Sequence, residues 1–458
     1  MTTASEAPAA TMAVPTRGLG GEQRSLTIGL LLIVTLVAFE ALAVATVMPL
    51  ARDELGGIRL YGWTFSAFLL ASLIGIVWAG EQCDKRGPAA PFLAGLGFFS
   101  LGLVIAGLAP AMWVLVAGRA VQGLGAGVLP AVAWVGIGRG YDEASRPRML
   151  AFMSSAWVVP GLTGPGIAAV LAETLSWRLV FLGLLPLVLV AAVLTLPGLR
   201  RLGAPAERNG APSRLLPAMQ LTAGTAIFLG GLSSPAWLLG VPLCVIGFAI
   251  ALPALYRLLP KGTLKLLRGL PSTMGGHGLL NFAFFGGDAY VPFALITLRG
   301  ESTLVVGALL SIPAITWTAG TWALERTAGR IDRRWGMTLG LVLVAVELST
   351  MAVSLLPGVP IVVPALAWAV GALGMGLAYP SFALAIINEA ETGQEGAVTS
   401  SMKLVESLGN ALGAGVGGAL IAAGAVLGSE TGGTAAAFLW AAGLALVALI
   451  PAWRSNAT

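Results

Sequence analysis

The chain has 458 residues, of which 57% are hydrophobic and only 10% charged, with a mean hydropathy of +0.88. Soluble domains need roughly a quarter of their residues charged, so most of this surface must face hydrocarbon. The net charge of +5 comes from 26 Lys and Arg spread along the chain, which form no basic domain for nucleic acid, while two distant cysteines and one histidine exclude a disulfide framework and a typical zinc or haem site.

Residues 1–25, rich in Ala, Thr, Ser and Pro without apolar period, read as a disordered tail. The first apolar run, about 26–50, is too long for a cleavable signal and carries Glu40 in its middle. Further runs long enough to span a bilayer follow at about 60–81, 89–109, 112–137, 149–174, 177–199, 215–233, 235–259, 272–297, 302–325, 334–357, 360–388, 397–425 and 432–453, which makes fourteen. With the N-terminus inside, 20 of the basic residues fall on the inner side. Only Arg52, Arg59, Arg178 and Arg299 fall outside, with Arg119 and Lys403 within spans. Losing one span would throw the basic stretch 326–334 outside, so the charge pattern favours fourteen over thirteen and places both termini in the cytoplasm. The expected location is the cell (inner) membrane.

After the second span comes Gly80-Glu81-Gln82-Cys83-Asp84-Lys85-Arg86-Gly87, and after the tenth comes Gly329-Arg330-Ile331-Asp332-Arg333-Arg334-Trp335-Gly336. Asp84 and Asp332 are 332 − 84 = 248 residues, or eight spans, apart. Two six-helix halves separated by a two-helix insert account for that offset, and such internal repeats mark transporters. The expected organisation is a tail at 1–25, a six-helix bundle at 26–199, a linker at 200–271 holding two extra helices (about 215–233 and 235–259), a second six-helix bundle at 272–453, and a tail at 454–458.

Charges inside hydrocarbon are costly and usually functional, and six fall within spans: Glu40, Arg119, Asp288, Glu347, Lys403 and Glu406. At about 1.5 Å per residue, Glu40, Arg119 and Asp288 lie roughly 10–15 Å from the outer ends of their spans and share one layer. A proton carrier is a buried carboxyl whose ionisation is set by a nearby cation. Glu40 with Arg119 in reach is the first candidate and Asp288 a second. Glu347 is expected to snorkel or pack at a peripheral position. Lys403 and Glu406, three residues apart, share a helix face and can pair. His277, beside Gly275, Gly276 and Gly278, is expected at a span end as an interfacial residue. Asn281, Tyr290, Trp157, Trp317, Tyr379 and Phe382 could line a cavity for an amphipathic ligand.

The motifs are similar to those of the major facilitator superfamily, in its fourteen-helix drug:proton antiporter branch, and the resemblance covers nearly the whole chain. Gly80-x-x-x-Asp84-Lys85-x-Gly87 fits the family's loop between helices 2 and 3, and Arg119-Ala120-Val121-Gln122-Gly123 fits its helix 4 motif. Gly161-Leu162-Thr163-Gly164-Pro165 resembles the helix 5 antiporter motif, with Ala168-Ala169 replacing the trailing Gly-Gly. Glu40 stands where the branch has Asp, and Tyr290-Val291-Pro292 resembles the passage out of helix 7. In helix 11, Lys403 and Glu406 depart from the family's usual Arg. The resemblance implies proton-coupled export of hydrophobic or cationic small molecules by alternating access, with Asp84, Arg86, Gly87, Gly161, Pro165 and Asp332 in the conformational switch. It also implies that Asp84 meets the start of helix 397–425 to latch the outward-facing state. The expected energy source is the proton gradient with no cofactor. The expected partners are substrate, protons and the lipid bilayer, with no nucleic acid, around a monomer. An exporter of a lipid or lipid conjugate is the alternative. A membrane-embedded enzyme is a remote one, since a single histidine without a Ser- or Cys-centred signature supplies no nucleophile and base.

Overall fold

The computed structural model describes residues 21–141, 149, 152–153, 156–203, 213–326, 332–389 and 395–455. In hydrocarbon every backbone N–H and C=O must be satisfied within its own segment or a closed barrel, and the apolar runs of this chain answer with helices. In chain order these are α1 (Gly21–Leu55), α2 (Tyr61–Arg86), α3 (Ala89–Gly107), α4 (Met112–Gly140), α5 (Val158–Thr174), α6 (Leu179–Leu202), α7 (Leu215–Leu232), α8 (Trp237–Leu258), α9 (Leu270–Leu298), α10 (Thr303–Arg326), α11 (Arg333–Ser354), α12 (Val362–Asn388), α13 (Glu395–Val426) and α14 (Glu430–Arg454). Thirteen are long and apolar enough to cross a membrane, and α5 is a shorter apolar helix among the described residues. Helix α1 starts at Gly21, inside the stretch read as a tail, so residues 21–25 are helical. Residues 150–151 and 154–155 of the fifth apolar run, and 142–148 before it, lie outside the described residues, as do Gly329, Arg330 and Ile331 of the repeated loop.

The repeat seen in the sequence reappears as a packing pattern. Helix α4 lies against α2 and α3, and eight spans later α12 lies against α10 and α11. Both contacts depend on missing side chains. A methyl group on Gly75 of α2 would strike the backbone of α4 at Leu124, and one on Gly320 of α10 would strike α12 at Leu373. Without a hydrophobic force between helices in lipid, such close backbone approach is what holds spans together. The insert α7–α8 forms its own antiparallel pair, and its first helix docks between α2 and α13: Thr222 Oγ1 donates to the Leu70 carbonyl at 3.2 Å, and Leu229 packs against Gly415.

Candidate functional site

Helices α1, α2 and α4 converge on one buried ion pair. Arg119 Nη1 donates to Glu40 Oε1 and, at 2.8 Å, to Gln122 Oε1. Its Nε donates to the Thr64 carbonyl at 3.0 Å, and the guanidinium stands 4.1 Å from the centre of the Phe68 ring. The i, i+3 spacing of Arg119 and Gln122 puts both on one face of α4. Glu40, Arg119 and Gln122 are all buried. An ion pair away from water needs both members and a filled hydrogen-bond set, so losing either charge disturbs the whole group. Neutralising Glu40 would free the guanidinium from α1 while Thr64 and Gln122 still held it.

The same stretch of α2 forms a seal. Tyr61 packs against Tyr290 and Phe293 of α9, with ring centres 5.7 and 5.2 Å apart. Ser66 Oγ donates to the Ala411 carbonyl at 2.9 Å, and Gly62 lies on Gly418 of α13. Outside these contacts, Arg52 binds Glu430 at 2.7 Å, Leu304 N donates to Glu173 at 3.0 Å, and Gly307 rests on Pro165. The described hydrogen bonds and ion pairs between α1–α6 and α9–α14 thus lie toward the end opposite the termini. Gly161 adds a close contact between α5 and α10, since a methyl group there would sit 3.0 Å from Ala314 Cβ.

A second polar cluster joins α9, α12 and α13. Lys403 Nζ donates to Glu406 Oε2 at 2.9 Å and to the Tyr379 hydroxyl at 3.1 Å, and that hydroxyl donates to the same Glu406 oxygen at 2.8 Å. Trp317 of α10 packs on Tyr379, with ring centres 5.9 Å apart. The Lys403 side chain is 45% exposed and that of Glu406 20%. His277 is fully buried, with its ring centre 5.0 Å from that of Tyr379 and its Nε2 3.7 Å from Glu406, so it is no interfacial residue. A helix-end position in sequence conceals this, because the neighbours come from α12 and α13.

The other expected residues separate. Trp157 is 49% exposed, and Trp317 and Tyr379 are half-buried. Asn281, Tyr290 and Phe382 are instead buried in packing. Asn281 Nδ2 is spent on the His277 carbonyl at 2.8 Å, Tyr290 donates to the Ala414 carbonyl within the seal, and Phe382 fills the space beside Gly276. Asp288 is half-buried and lies within electrostatic reach of Glu347. Glu347 does not snorkel: it is fully buried against Gly371, with neither carboxylate oxygen hydrogen-bonded among the described residues. Among the described residues, Asp84 pairs with Arg139 of its own half at 2.9 Å. Arg86 ends α2 at the surface, and Gly87 follows it with φ +79°, a left-handed turn that favours glycine. Asp332 caps α11 by accepting from Arg334 N at 2.9 Å. Sequence reasoning missed Tyr61, Thr64 and Ser66, whose importance comes from the seal and not from any charge.

A family model described as Major Facilitator Superfamily matches residues 30–414. The chain is 25% identical over 407 residues to the probable multidrug-efflux transporter Rv1634 of Mycobacterium tuberculosis (strain ATCC 25618 / H37Rv), covering 85% of each. It is 24% identical over 413 residues to the multidrug transporter protein MdtP of Bacillus subtilis (strain 168), covering 88% of this chain and 76% of the relative. Among solved structures, the POT family transporter PepTSo superposes with a TM-score of 0.70 at 12% identity, covering 93% of this chain and 96% of that one, and so shares the fold.

Proposed function

We propose, from the premise that the chain belongs to the Major Facilitator Superfamily, that it exports hydrophobic or cationic drug-like molecules in exchange for protons. It is a transporter and a multi-pass membrane protein, not an enzyme. The observation that carries the proton coupling is the buried Glu40–Arg119 pair, whose guanidinium also grips the Thr64 carbonyl on the helix that seals against α13. Protonation of Glu40 would release α1 from that grip. The change would reach Tyr61 and Ser66 within one turn of α2, so that substrate and proton occupancy bias the same seal. Of the two relatives described above, one is named a probable multidrug-efflux transporter and the other a multidrug transporter protein, which supports export of small amphipathic substrates. In this reading the protein is a monomer in the cell membrane with both termini in the cytoplasm, and the proton gradient serves in place of any cofactor.

In everted vesicles carrying the protein, an acid interior should drive accumulation of a cationic dye, and a protonophore should abolish it. Accumulation that survives the protonophore would sink the coupling. If dyes are not carried but a labelled lipid is, the lipid-exporter alternative replaces the drug-exporter one.

Asp84 supplies a second test. Its pair with Arg139 is exposed and contributes at most about 1 kcal/mol. Asp84→Asn should therefore leave Tm nearly unchanged, yet lower turnover several-fold with little change in ligand affinity if Asp84 latches α13 in another state. Unchanged turnover would remove Asp84 from conformational control.

A further inference from the structure

Four arginines stand at the end of the molecule opposite the termini, and three are engaged. Arg52 pairs with Asp53 and Glu430, Arg178 with Glu54, and Arg299 with Glu301 and the carbonyls of Ser354 and Val359. Arg59 is exposed and makes no ion pair or side-chain hydrogen bond among the described residues. It lines a cleft of about 900 Å³, one side of which the insert supplies. Its walls are the turn before α2, with Ile58 and Leu60, then Trp63 of α2, Gly230 at the end of α7, and Ala422 and Ala425 of α13. The two alanines, three residues apart on one helix face, leave the space that larger side chains would fill.

We infer that this cleft binds an anionic phospholipid, with the phosphate on Arg59 and an acyl chain lying between α2, α7 and α13. An unpaired guanidinium at the rim of a mostly apolar cleft offers paired donors to phosphate oxygens and nothing to a cation, which selects an anionic head group. The chain spans a membrane, so the surrounding solvent itself supplies the ligand. The walls α2 and α13 touch at Gly62 and Gly418, one turn below the cleft's rim, so a lipid held there favours the state in which those helices are together. This site lies apart from Glu40 and stands or falls independently of proton coupling.

The test is native mass spectrometry of the full-length protein released from nanodiscs of equimolar phosphatidylglycerol and phosphatidylcholine with matched chains. The wild type should retain phosphatidylglycerol about fivefold over phosphatidylcholine, the preference one arginine near a membrane surface supplies. Arg59→Gln should bring the ratio to one, and Ala425→Leu, which fills the cleft while keeping the charge, should lower total retention of both lipids. Equal retention by the wild type, or a preference that survives Arg59→Gln, overturns the inference. A preference lost in Arg59→Gln but with retention untouched in Ala425→Leu overturns it as well, since the lipid would then sit on a surface charge outside the cleft.

Discussion

Glu40→Gln is expected to abolish uphill, proton-driven accumulation while leaving energy-independent exchange and substrate binding in place. Glutamine keeps the shape and can still accept a hydrogen bond from Arg119, so the α1–α4 contact survives in weakened form. It cannot take up and release a proton. Because Arg119 is buried, the change also leaves its charge without a counter-ion, which in a dry protein interior costs about 3–5 kcal/mol. Here the Thr64 carbonyl, the Gln122 oxygen and the Phe68 ring still hold the guanidinium and offset part of that cost. A fall in Tm is therefore expected beside the loss of transport. The two effects separate in Glu40→Asp, which keeps a titratable group and should recover part of the uphill activity that the Gln variant lacks. Full uphill transport by Glu40→Gln at wild-type expression would remove Glu40 from the coupling path.

What the sequence could reveal about this site follows from what was one-dimensional in it. Glu40 and Arg119 stand out because charge in an apolar span is expensive, whatever its neighbours turn out to be. The helices are legible for the same reason, since about 20 apolar residues in a row leave the backbone few other options. The eight-span repeat was readable from two short loops and returned as matched glycine contacts at Gly75 and Gly320. Residues whose meaning comes from a partner helix were not readable. Tyr290 and Phe382 are aromatic residues in spans, as Trp317 and Tyr379 are, and only the packing of α9 on Tyr61 and of Gly276 on Phe382 buries the first two. Glu347 looked peripheral because its helix is. The absent side chain of Gly371 on α12 opens the space that takes its carboxylate inward.

Lys403 and Glu406 should behave as a coupled pair in a double-mutant cycle. Their 2.9 Å contact is shared with Tyr379, and with Lys403 nearly half exposed the coupling should be about 1 kcal/mol, less than two ions stranded in hydrocarbon would give. Lys403→Met alone leaves Glu406 with the Tyr379 hydroxyl and the nearby His277. Glu406→Gln alone leaves an ammonium facing Tyr379 with no counter-ion, and so should be the more damaging single change. The double variant should regain most of the Tm lost by Glu406→Gln. Tyr379→Phe, by removing the hydroxyl that touches both partners, should shrink the coupling without abolishing it. Transport then distinguishes structure from recognition. If the pair only stabilises α12 against α13, the double variant should carry cationic dyes at close to the wild-type rate. If Glu406 also attracts the cation, the double variant should fold well and transport neutral substrates while its apparent affinity for cations falls. Strictly additive losses of Tm across the cycle would dissolve the pair, leaving the short Lys403–Glu406 contact without energetic meaning.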